Sequence, residues 1–212
     1  MDQAFQAVLA DYDARMAREE ATYGDQLIVG GVPDRDALLL SVGEDVGRML
    51  NLMAKGCGAK AILELGTSYG YSTLWLADAA RATGGKVISL ELEAYKVDAA
   101  RAALQRAGLA DYVEFHIGNA LDILPTLPGP FDFVLLDLWK DLYVPCMELC
   151  LPRLTPGGLI LADNMLRPAI NRPEALTYRR AVRARPELTT VLLPIGQGVE
   201  VSRLAGPDDA EL

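Results

Sequence analysis

Five short apolar segments follow residue 60, and a stretch long enough for a helix separates each from the next. The segments read AILELG, VISLELE, YVEFHIG, FDFVLLD and LILAD. Strands that alternate with helices in this way form βαβ units, whose strands pair in parallel within one sheet. From residue 60 onward the pattern therefore predicts a parallel sheet with helices packed against it.

The C-terminal part departs from this alternation. Beyond Pro173 the sequence predicts one more helix and then two strand-like runs, ELTTVLLP and VEVSRL, separated by IGQG. So short a connection suits a tight antiparallel hairpin. We therefore expect an α/β fold: a Rossmann-like, seven-stranded, mostly parallel sheet with a C-terminal antiparallel hairpin and helices on both faces. A hydrophobic fraction of 51% over 212 residues supports a single domain, 1–212.

Two helices are predicted ahead of the core (60–212), within residues 1–55. Their apolar stripes consist of Phe5, Val8, Leu9, Tyr12 and Met16 in the first, and Val46, Met49, Leu50 and Met53 in the second, which runs from Gly43 to Lys55. Two roles are open for these helices: covering a site or forming an interface. Inside the core, the helix Ala94 to Ala107 is expected to stop at Gly108.

Composition narrows the possible functions. A net charge of -9 repels phosphate backbones, so we expect a small-molecule substrate and no nucleic acid. The cysteines Cys57, Cys146 and Cys150 lack metal-ligand spacing and are expected to be free thiols in a reducing cytoplasm. The acidic N-terminus does not resemble a signal peptide, and no stretch approaches ~18 uninterrupted apolar residues. We therefore expect a cytoplasmic protein with no membrane contact.

A glycine-rich loop, GTSYGYS, joins the first strand to the next helix. Glycines there let the backbone approach a ligand. Glu91 ends the second strand 21 residues after Gly70, the distance at which an acidic side chain in such folds binds ribose hydroxyls. The pair predicts adenosine recognition, although the loop alone would also suit plain strand-to-helix packing.

The spacing of the glycines helps to identify the cofactor. Dinucleotide folds place Gly-x-Gly-x-x-Gly here, whereas Gly66 and Gly70 are four residues apart and follow Glu64. A carboxylate beside the loop would repel a pyrophosphate but suits the cationic end of S-adenosylmethionine (SAM). The spacing therefore argues against a nicotinamide oxidoreductase, which stays the alternative enzyme.

Oxygen-bearing side chains end the fourth and fifth strands. Asp137 follows FDFVLL, and Asp163 and Asn164 follow LILA, 26 residues later. If these strands are adjacent they lie ~4.8 Å apart, so that the three side chains could share one Mg²⁺ ion. The alternatives are a helix N-cap at Asp137 and a simple turn at Asp163. The histidine His116 lies within the third predicted strand and is expected to be a core or edge residue rather than a ligand.

Lys140 stands three residues after Asp137, where a general base could act. Such a lysine must be partly neutral, which burial and a nearby cation both favour. The alternative is a solvated residue in the first turn of a helix.

These motifs carry a resemblance to a known family. ELGTSYGYS, LDLWKDLYVP and LADNMLRP together resemble the cation-dependent O-methyltransferases, and the DxWKDxY pattern is most similar to the catechol O-methyltransferase branch. The resemblance covers roughly residues 40 to 168. It implies Asp137, Asp163 and Asn164 as metal ligands, Lys140 as the catalytic base and Pro168 as part of the substrate wall.

The resemblance also implies a set of cofactor contacts, with Val42 and Gly43 covering the methionine part and Trp139 stacking near adenine. The full set is Val42, Gly43, Glu64, Gly66, Ser68, Gly70, Ser72, Glu91, Leu92, Ala120, Asp137 and Trp139. By the same resemblance the function is Mg²⁺-dependent transfer of a methyl group from SAM to a hydroxyl of a catechol-type small molecule. A cofactor-binding module with a decayed site is the non-enzymatic alternative, and a homodimer is a possible assembly.

The sequence departs from the catechol enzymes at several substrate positions. Leu138 replaces a histidine, Val46 replaces a lysine, and 38–40 contain no tryptophan. The turn in PIGQGVE lacks an acidic residue, and Glu200 is expected to lie too far along the strand to replace it. These departures leave the particular catechol open.

Two arginines lie in the loop after the metal ligands. We hypothesise that Arg167 or Arg172 favours a catechol that carries a carboxylate. The alternative is that both are solvated loop residues.

Overall fold

One seven-stranded sheet forms the centre of the computed structural model, which describes residues 1–24, 26, 35–206 and 209. The strands are β1 Ala61–Leu65, β2 Lys86–Glu91, β3 Val113–Ile117, β4 Phe131–Leu136, β5 Leu154–Ala162, β6 Leu188–Leu193 and β7 Val199–Leu204. Their order is β3-β2-β1-β4-β5-β7-β6. The pairs from β3 to β5 are parallel, and β7 is antiparallel to both β5 and β6. The predicted sheet and its C-terminal hairpin are confirmed.

Helices occupy both faces of this sheet, as expected. They are α1 Gln3–Tyr23, α2 Glu44–Gly56, α3 Tyr71–Thr83, α4 Ala94–Arg106, α5 Ala120–Ile123, α6 Tyr143–Cys150 and α7 Arg172–Arg183. Asp2 caps α1 by accepting a hydrogen bond from the Phe5 N–H at 3.0 Å. The helix α4 ends as predicted, because Gly108 follows it with a left-handed φ of 66°.

Alternating residues of the strands build two hydrophobic clusters, one on each face. Phe133 and Leu135 of β4 join the cluster beneath α1, α2 and α3, whereas Val134 and Leu136 join the cluster beneath α6 and α7. Because these strands are buried on both faces, they read as continuous apolar runs in the sequence. The same burial explains why these strands could be recognised in the sequence.

The strand order reverses at β1, which pairs with β2 on one side and β4 on the other. In open α/β sheets ligands bind in the crevice that such a reversal leaves at the carboxyl ends of the strands. Leu65 pairs with both Leu90 and Leu136, and Leu136 pairs with Ala162. The loops that follow these strands therefore start at one level, on one edge of the sheet.

The helix α1 packs across α3 and the loop before it. Its Tyr12 hydroxyl donates to the Tyr69 carbonyl oxygen at 2.6 Å, and Phe5 meets Trp75 edge to face at 5.0 Å between ring centroids. Its C-terminal half also holds the segment 35–43, because Glu19 accepts two hydrogen bonds, at 3.1 and 3.0 Å, from the Leu39 N–H. This placement supports the covering role for α1.

Three smaller expectations can also be compared with the fold. Cys146 and Cys150 are buried on α6, and both are free thiols, as is the exposed Cys57. His116 lies on the edge strand β3, with Nε2 2.8 Å from a Glu114 oxygen. Within the described ranges, no helix is both long enough and apolar enough to cross a membrane.

Candidate active site

A cavity of about 700 Å³ opens at the carboxyl edge of the sheet, where the strand order reverses. The ends of β1, β2, β4 and β5 form its floor, and α1, the segment 35–43 and the β6–β7 turn form its walls. Twelve predicted site residues line it: Val42, Gly43, Gly66, Ser68, Glu91, Leu92, Ala120, Asp137, Trp139, Lys140, Asn164 and Pro168. The fold thus brings most of the predicted site into one space.

Gly66 closes the floor between β1 and β4. Its φ is +103°, and a Cβ atom there would lie 2.2 Å from the Asp137 carbonyl oxygen. No side chain fits in that gap, so the sequence must use glycine for the loop to pass the end of β4. Close packing against the end of β4 is therefore one reason for the glycine, and close approach of the backbone to a ligand stays a prediction.

The Glu91 carboxylate faces the cavity and is held by backbone amides. Its two oxygens accept hydrogen bonds from the N–H groups of Ser68 at 2.7 Å, Leu92 at 2.9 Å and Glu93 at 3.1 Å. A carboxylate offers about four acceptor positions, so some capacity remains for hydroxyl donors in the cavity. This geometry fits the expected contact with a ribose.

Glu64 lies behind the cavity wall. It is fully buried and accepts hydrogen bonds from the hydroxyls of Ser72 at 2.6 Å, Thr73 at 2.6 Å and Ser89 at 2.5 Å. Burial raises its pKa to about 7, against the opposing effect of the three hydroxyls. The carboxylate therefore supports the start of α3 from within, and Ser72 is committed to it.

Gly70 serves helix packing rather than the cavity surface. With a φ of +91°, it lies where a Cβ atom would be 2.8 Å from the Ala100 Cβ. Among the described residues, four predicted site residues are absent from the cavity lining: Glu64, Gly70, Ser72 and the fully buried Asp163. Glu64, Gly70 and Ser72 were predicted at the wall because they belong to the same sequence motif as Gly66, ELGTSYGYS. Their direct contact with a cofactor stays a prediction.

Asp163 is a buried carboxylate whose oxygens accept no hydrogen bond from the described residues. Its residue is fully buried, and neither side-chain oxygen has a hydrogen-bond partner within the described ranges. Burial and the neighbouring Asp137 raise its pKa to about 8. A buried carboxylate is normally hydrogen-bonded, paired or bound to a metal, so these two oxygens are suited to bind a cation.

The surroundings of Asp163 supply suitable further ligands. Its backbone N–H donates to the Leu136 carbonyl at 3.1 Å, which puts it beside Asp137 at the end of the next strand. Asn164 follows with a left-handed φ of 59° and lines the cavity. Clusters of three or more His, Cys, Asp or Glu in metal-binding geometry do not occur in the described ranges, so an ion here would need the amide as its third ligand. Two carboxylates and an amide suit a hard cation such as Mg²⁺.

Lys140 points inward, toward Asp137. It is only 9% exposed, and its Nζ lies 3.5 Å from Asp137 Oδ1 and donates to the Leu138 carbonyl at 3.0 Å. Nζ also donates to the Tyr143 hydroxyl. The alternative of a solvated first-turn residue is therefore wrong for this lysine.

Several cavity residues were not predicted from the sequence. Those with polar or flexible side chains are Met16, Glu19, Glu20, Asp36, Ser41, Lys96, Asn119 and Gln197. Lys96 is nearly buried and pairs with Asp36 at 3.1 Å. The pattern Gly-x-Gly at 196–198 could have drawn attention to Gln197, since both glycines have positive φ.

Two substrate expectations have a clear structural outcome. Glu200 is fully buried, is held by Arg179 at 2.9 Å and Arg183 at 2.8 Å, and does not belong to the cavity lining. Arg167 and Arg172 are exposed and do not belong to the cavity lining. The structure thus gives no support to an arginine that selects carboxylated catechols.

The chain is similar to several known proteins. A family model described as O-methyltransferase matches residues 25–204. A catechol O-methyltransferase from Niastella koreensis is 42% identical over 132 residues, which are 60% of this chain and 59% of that protein. A caffeoyl-CoA O-methyltransferase from Eucalyptus globulus is 30% identical over 185 residues, 78% of this chain and 75% of that protein. The O-methyltransferase TomG from Streptomyces achromogenes, solved in complex with SAM, has a TM-score of 0.76 at 28% identity and covers 97% of this chain and 91% of its own.

The chain spans about three fifths of the length of the curated catechol relatives it matches. The family match nevertheless covers most of this chain, including β1 to β7 and the loops that carry the candidate site. The resemblance seen in the motifs is confirmed, and the nicotinamide alternative receives no support. The chain belongs to the O-methyltransferase family.

Proposed function

We propose that this chain transfers the methyl group of SAM to one hydroxyl of a catechol-type small molecule, with a hard divalent cation as cofactor. The observation that carries the proposal is the orphaned carboxylate of Asp163, which lies beside Asp137. Asp137 in turn lies 3.5 Å from Lys140 Nζ. Asp137, Asp163 and Asn164 would hold the cation. When bound, the cation would act as a Lewis acid that makes a catechol hydroxyl easier to deprotonate.

The side chains of the cavity account for the other requirements of methyl transfer. Lys140 is buried with its amine toward Asp137, where it can accept the hydroxyl proton. The α1 helix and the segment 35–43 contribute to the cavity walls and would limit access of water once the ligands are bound. Much of the acceleration would then come from holding acceptor and methyl donor together in this enclosed space.

The SAM site is proposed along the β1 and β2 ends. Glu91 would accept the ribose hydroxyls, and Val42 and Gly43 would cover the methionine part. Trp139 lines the cavity, and its ring would stack on adenine. Relatives support this assignment, since TomG was solved in complex with SAM.

Charge favours a small catechol over a coenzyme A ester, although relatives are named for both kinds of substrate. The cover contributes Glu19, Glu20 and Asp36 to the cavity walls, and Lys96 is already paired with Asp36. Glu19 is likewise paired with Arg15, so Glu20 is the one of these three carboxylates that has no ion pair among the described residues, and it would repel the phosphates of coenzyme A.

The test is methyl transfer from SAM to a panel of small catechols and one catechol coenzyme A ester, with Mg²⁺ and with a chelator. Turnover of the small catechols only with Mg²⁺ is expected. Turnover that survives the chelator would contradict the metal role, and turnover of the ester alone would contradict the substrate class.

Metal binding can be measured apart from activity. Mg²⁺ at about 100 times its Kd should stabilise the protein by about 2.7 kcal/mol, seen as a rise in Tm. Asp163→Asn should remove this response, because it removes a ligand charge at the site. Asp141→Asn changes an exposed carboxylate close by and serves as the matched control, which should keep the response.

A further inference from the structure

The Lys140 side chain is tied to a buried tyrosine one helical turn away. Lys140 begins a short 3₁₀ turn, Lys140–Leu142, and Tyr143 begins α6 directly after it. Residues three apart lie on the same helical face, so the two side chains meet. Tyr143 is fully buried, and its ring packs edge to face on Tyr178 at 5.5 Å between centroids.

The Tyr143 hydroxyl connects Lys140 to the backbone of a predicted metal ligand. It accepts a hydrogen bond from Lys140 Nζ and donates one to the Asp163 carbonyl oxygen at 3.2 Å. Because its single proton is used toward Asp163, the hydroxyl presents its lone pairs to the lysine. The hydroxyl therefore fixes where the amine lies relative to the end of β5.

This arrangement also fixes the direction in which the amine faces. An amine nitrogen on its chain has three positions for protons or a lone pair. Nζ donates to the Tyr143 hydroxyl and to the Leu138 carbonyl, at 3.0 Å, and it lies 3.5 Å from Asp137 Oδ1. The Tyr143 hydroxyl therefore helps to hold Nζ beside Asp137, at the cavity wall that Lys140 and Asp137 both line.

We propose that Tyr143 is a positioning residue, whose hydroxyl aims the Lys140 amine at the acceptor oxygen. The proposal rests on the proposed function, in which Lys140 is the base. Phenylalanine at this position would keep the ring, which lies 4.3 Å from Nζ, and would lose only the hydroxyl. The two hydrogen bonds of that hydroxyl would then be missing.

The test compares Tyr143→Phe with Tyr178→Phe. The second variant removes a neighbouring buried hydroxyl that has no partner within the described ranges, so it is a matched control for the loss of one oxygen. Tyr143→Phe should lower kcat for a catechol about tenfold or more, because general-base catalysis depends on geometry. The KM of the catechol and the calorimetric Kd of SAM should stay within about twofold, and Tyr178→Phe should leave kcat within the same range.

A second readout does not depend on activity. Reductive methylation of the metal-free protein, followed by peptide mass spectrometry, reports how accessible each lysine is. Lys140 should be labelled faster in Tyr143→Phe than in the unchanged protein, whereas Tyr178→Phe should label like the unchanged protein. This measurement keeps its meaning even if no catechol is methylated, which would count against the proposed function alone.

Three results would overturn the proposal. One is a Tyr143→Phe variant with kcat within twofold of the unchanged enzyme, and another is unchanged labelling of Lys140. The third is a Tyr143→Phe variant that does not fold, since the hydroxyl would then be required by the fold rather than by Lys140.

Discussion

At the scale of single residues, Glu64 has an unusual environment for a carboxylate. It is enclosed completely and is held by three hydroxyl groups instead of a cation. Hydroxyl donors offset only part of the cost of removing a charge from water, so its pKa rises to about 7. The residue links the end of β1 to the first turn of α3 and so sets the loop that forms the cavity floor.

A pH-dependent stability follows from this shift. Between pH 4.5 and about 7 the folded protein keeps a proton on Glu64 that the unfolded chain releases. The Glu64 contribution is therefore fully present below pH 4.5 and is lost as the pH rises through about 7. At about 1.36 kcal/mol per pH unit the loss amounts to about 3 kcal/mol.

The measurement is urea-induced unfolding of the unchanged protein and of Glu64→Gln across pH 4.5 to 8. The glutamine is neutral throughout, so the free energy of unfolding of the variant should fall less over this range. Glu174→Gln alters an exposed residue on α7 and should follow the unchanged protein. If the free energy of unfolding changed with pH equally in Glu64→Gln and in the unchanged protein, the raised pKa of Glu64 would be contradicted.

At the scale of elements, the β1–α3 loop depends on Gly66. The residue combines a φ of +103° with a position at which a Cβ atom would lie 2.2 Å from the Asp137 carbonyl oxygen, at the end of β4. We predict that Gly66→Ala destabilises the protein by more than about 3 kcal/mol, the sum of backbone strain and overpacking. SAM binding should weaken as well, because the shifted loop carries Ser68.

Gly84 offers a matched control for Gly66. Its φ is +72°, and a Cβ atom placed there would have no neighbour within 4 Å among the described residues. Gly84→Ala should therefore cost only the left-handed strain, about 1–2 kcal/mol, and leave SAM affinity unchanged. Urea unfolding and calorimetry measure both effects, and equal losses for the two variants would show that contact with β4 does not matter.

The β6–β7 turn is a second element that shapes the cavity. The Gln197 carbonyl accepts hydrogen bonds from the Leu166 N–H at 2.9 Å and the Arg167 N–H at 3.1 Å, which docks the turn on the loop after β5. The glycines on both sides of Gln197 pack closely against neighbouring segments. A Cβ atom at Gly196 would lie 2.5 Å from Val46, and one at Gly198 would lie 2.6 Å from Leu166. The turn therefore presents Gln197 in a fixed place on the cavity wall.

A charge placed at Gln197 should change substrate preference. Gln197→Glu adds a carboxylate to the wall, and about 1 kcal/mol of charge interaction corresponds to about a fivefold effect. We expect kcat/KM for a catechol with an ammonium group to rise relative to one with a carboxylate by about this factor or more. Gln197→Met, similar in size and neutral, should leave the ratio unchanged. An unchanged ratio in Gln197→Glu would place this side chain away from the acceptor.

At the scale of the whole molecule, the sequence best predicted those site residues that directly follow an apolar strand and carry a metal-binding side chain. Asp137, Asp163 and Asn164 could be placed together because buried parallel strands have a strong apolar signal and end at one edge. Gln197 could not, because its place depends on contacts such as Gly196 with Val46, which are 150 residues apart in the chain (196 minus 46). The packing of Gly70 could not be predicted for a related reason, since its neighbour Ala100 lies on another helix.

The cover of the cavity is likewise a property of several distant segments. Asp36 pairs with Lys96 on α4, the Ala37 carbonyl accepts from Arg15 at 2.7 Å, and the Leu39 N–H donates to Glu19. Three of the five residues in 36–40 are exposed to solvent. A segment held in this way should open locally more often than the sheet beneath it.

Binding of SAM beneath the cover should reduce this opening. Val42 and Gly43 would contact the cofactor directly, so SAM binds the closed form more tightly and shifts the population toward it. Hydrogen–deuterium exchange should therefore slow across 38–43 when SAM is added, with no change in β4, which is already protected by the sheet. Glu19→Ala removes the acceptor of the Leu39 N–H and should speed exchange there without SAM. If the exchange rate across 38–43 were the same with and without saturating SAM, this segment would not close over the cofactor.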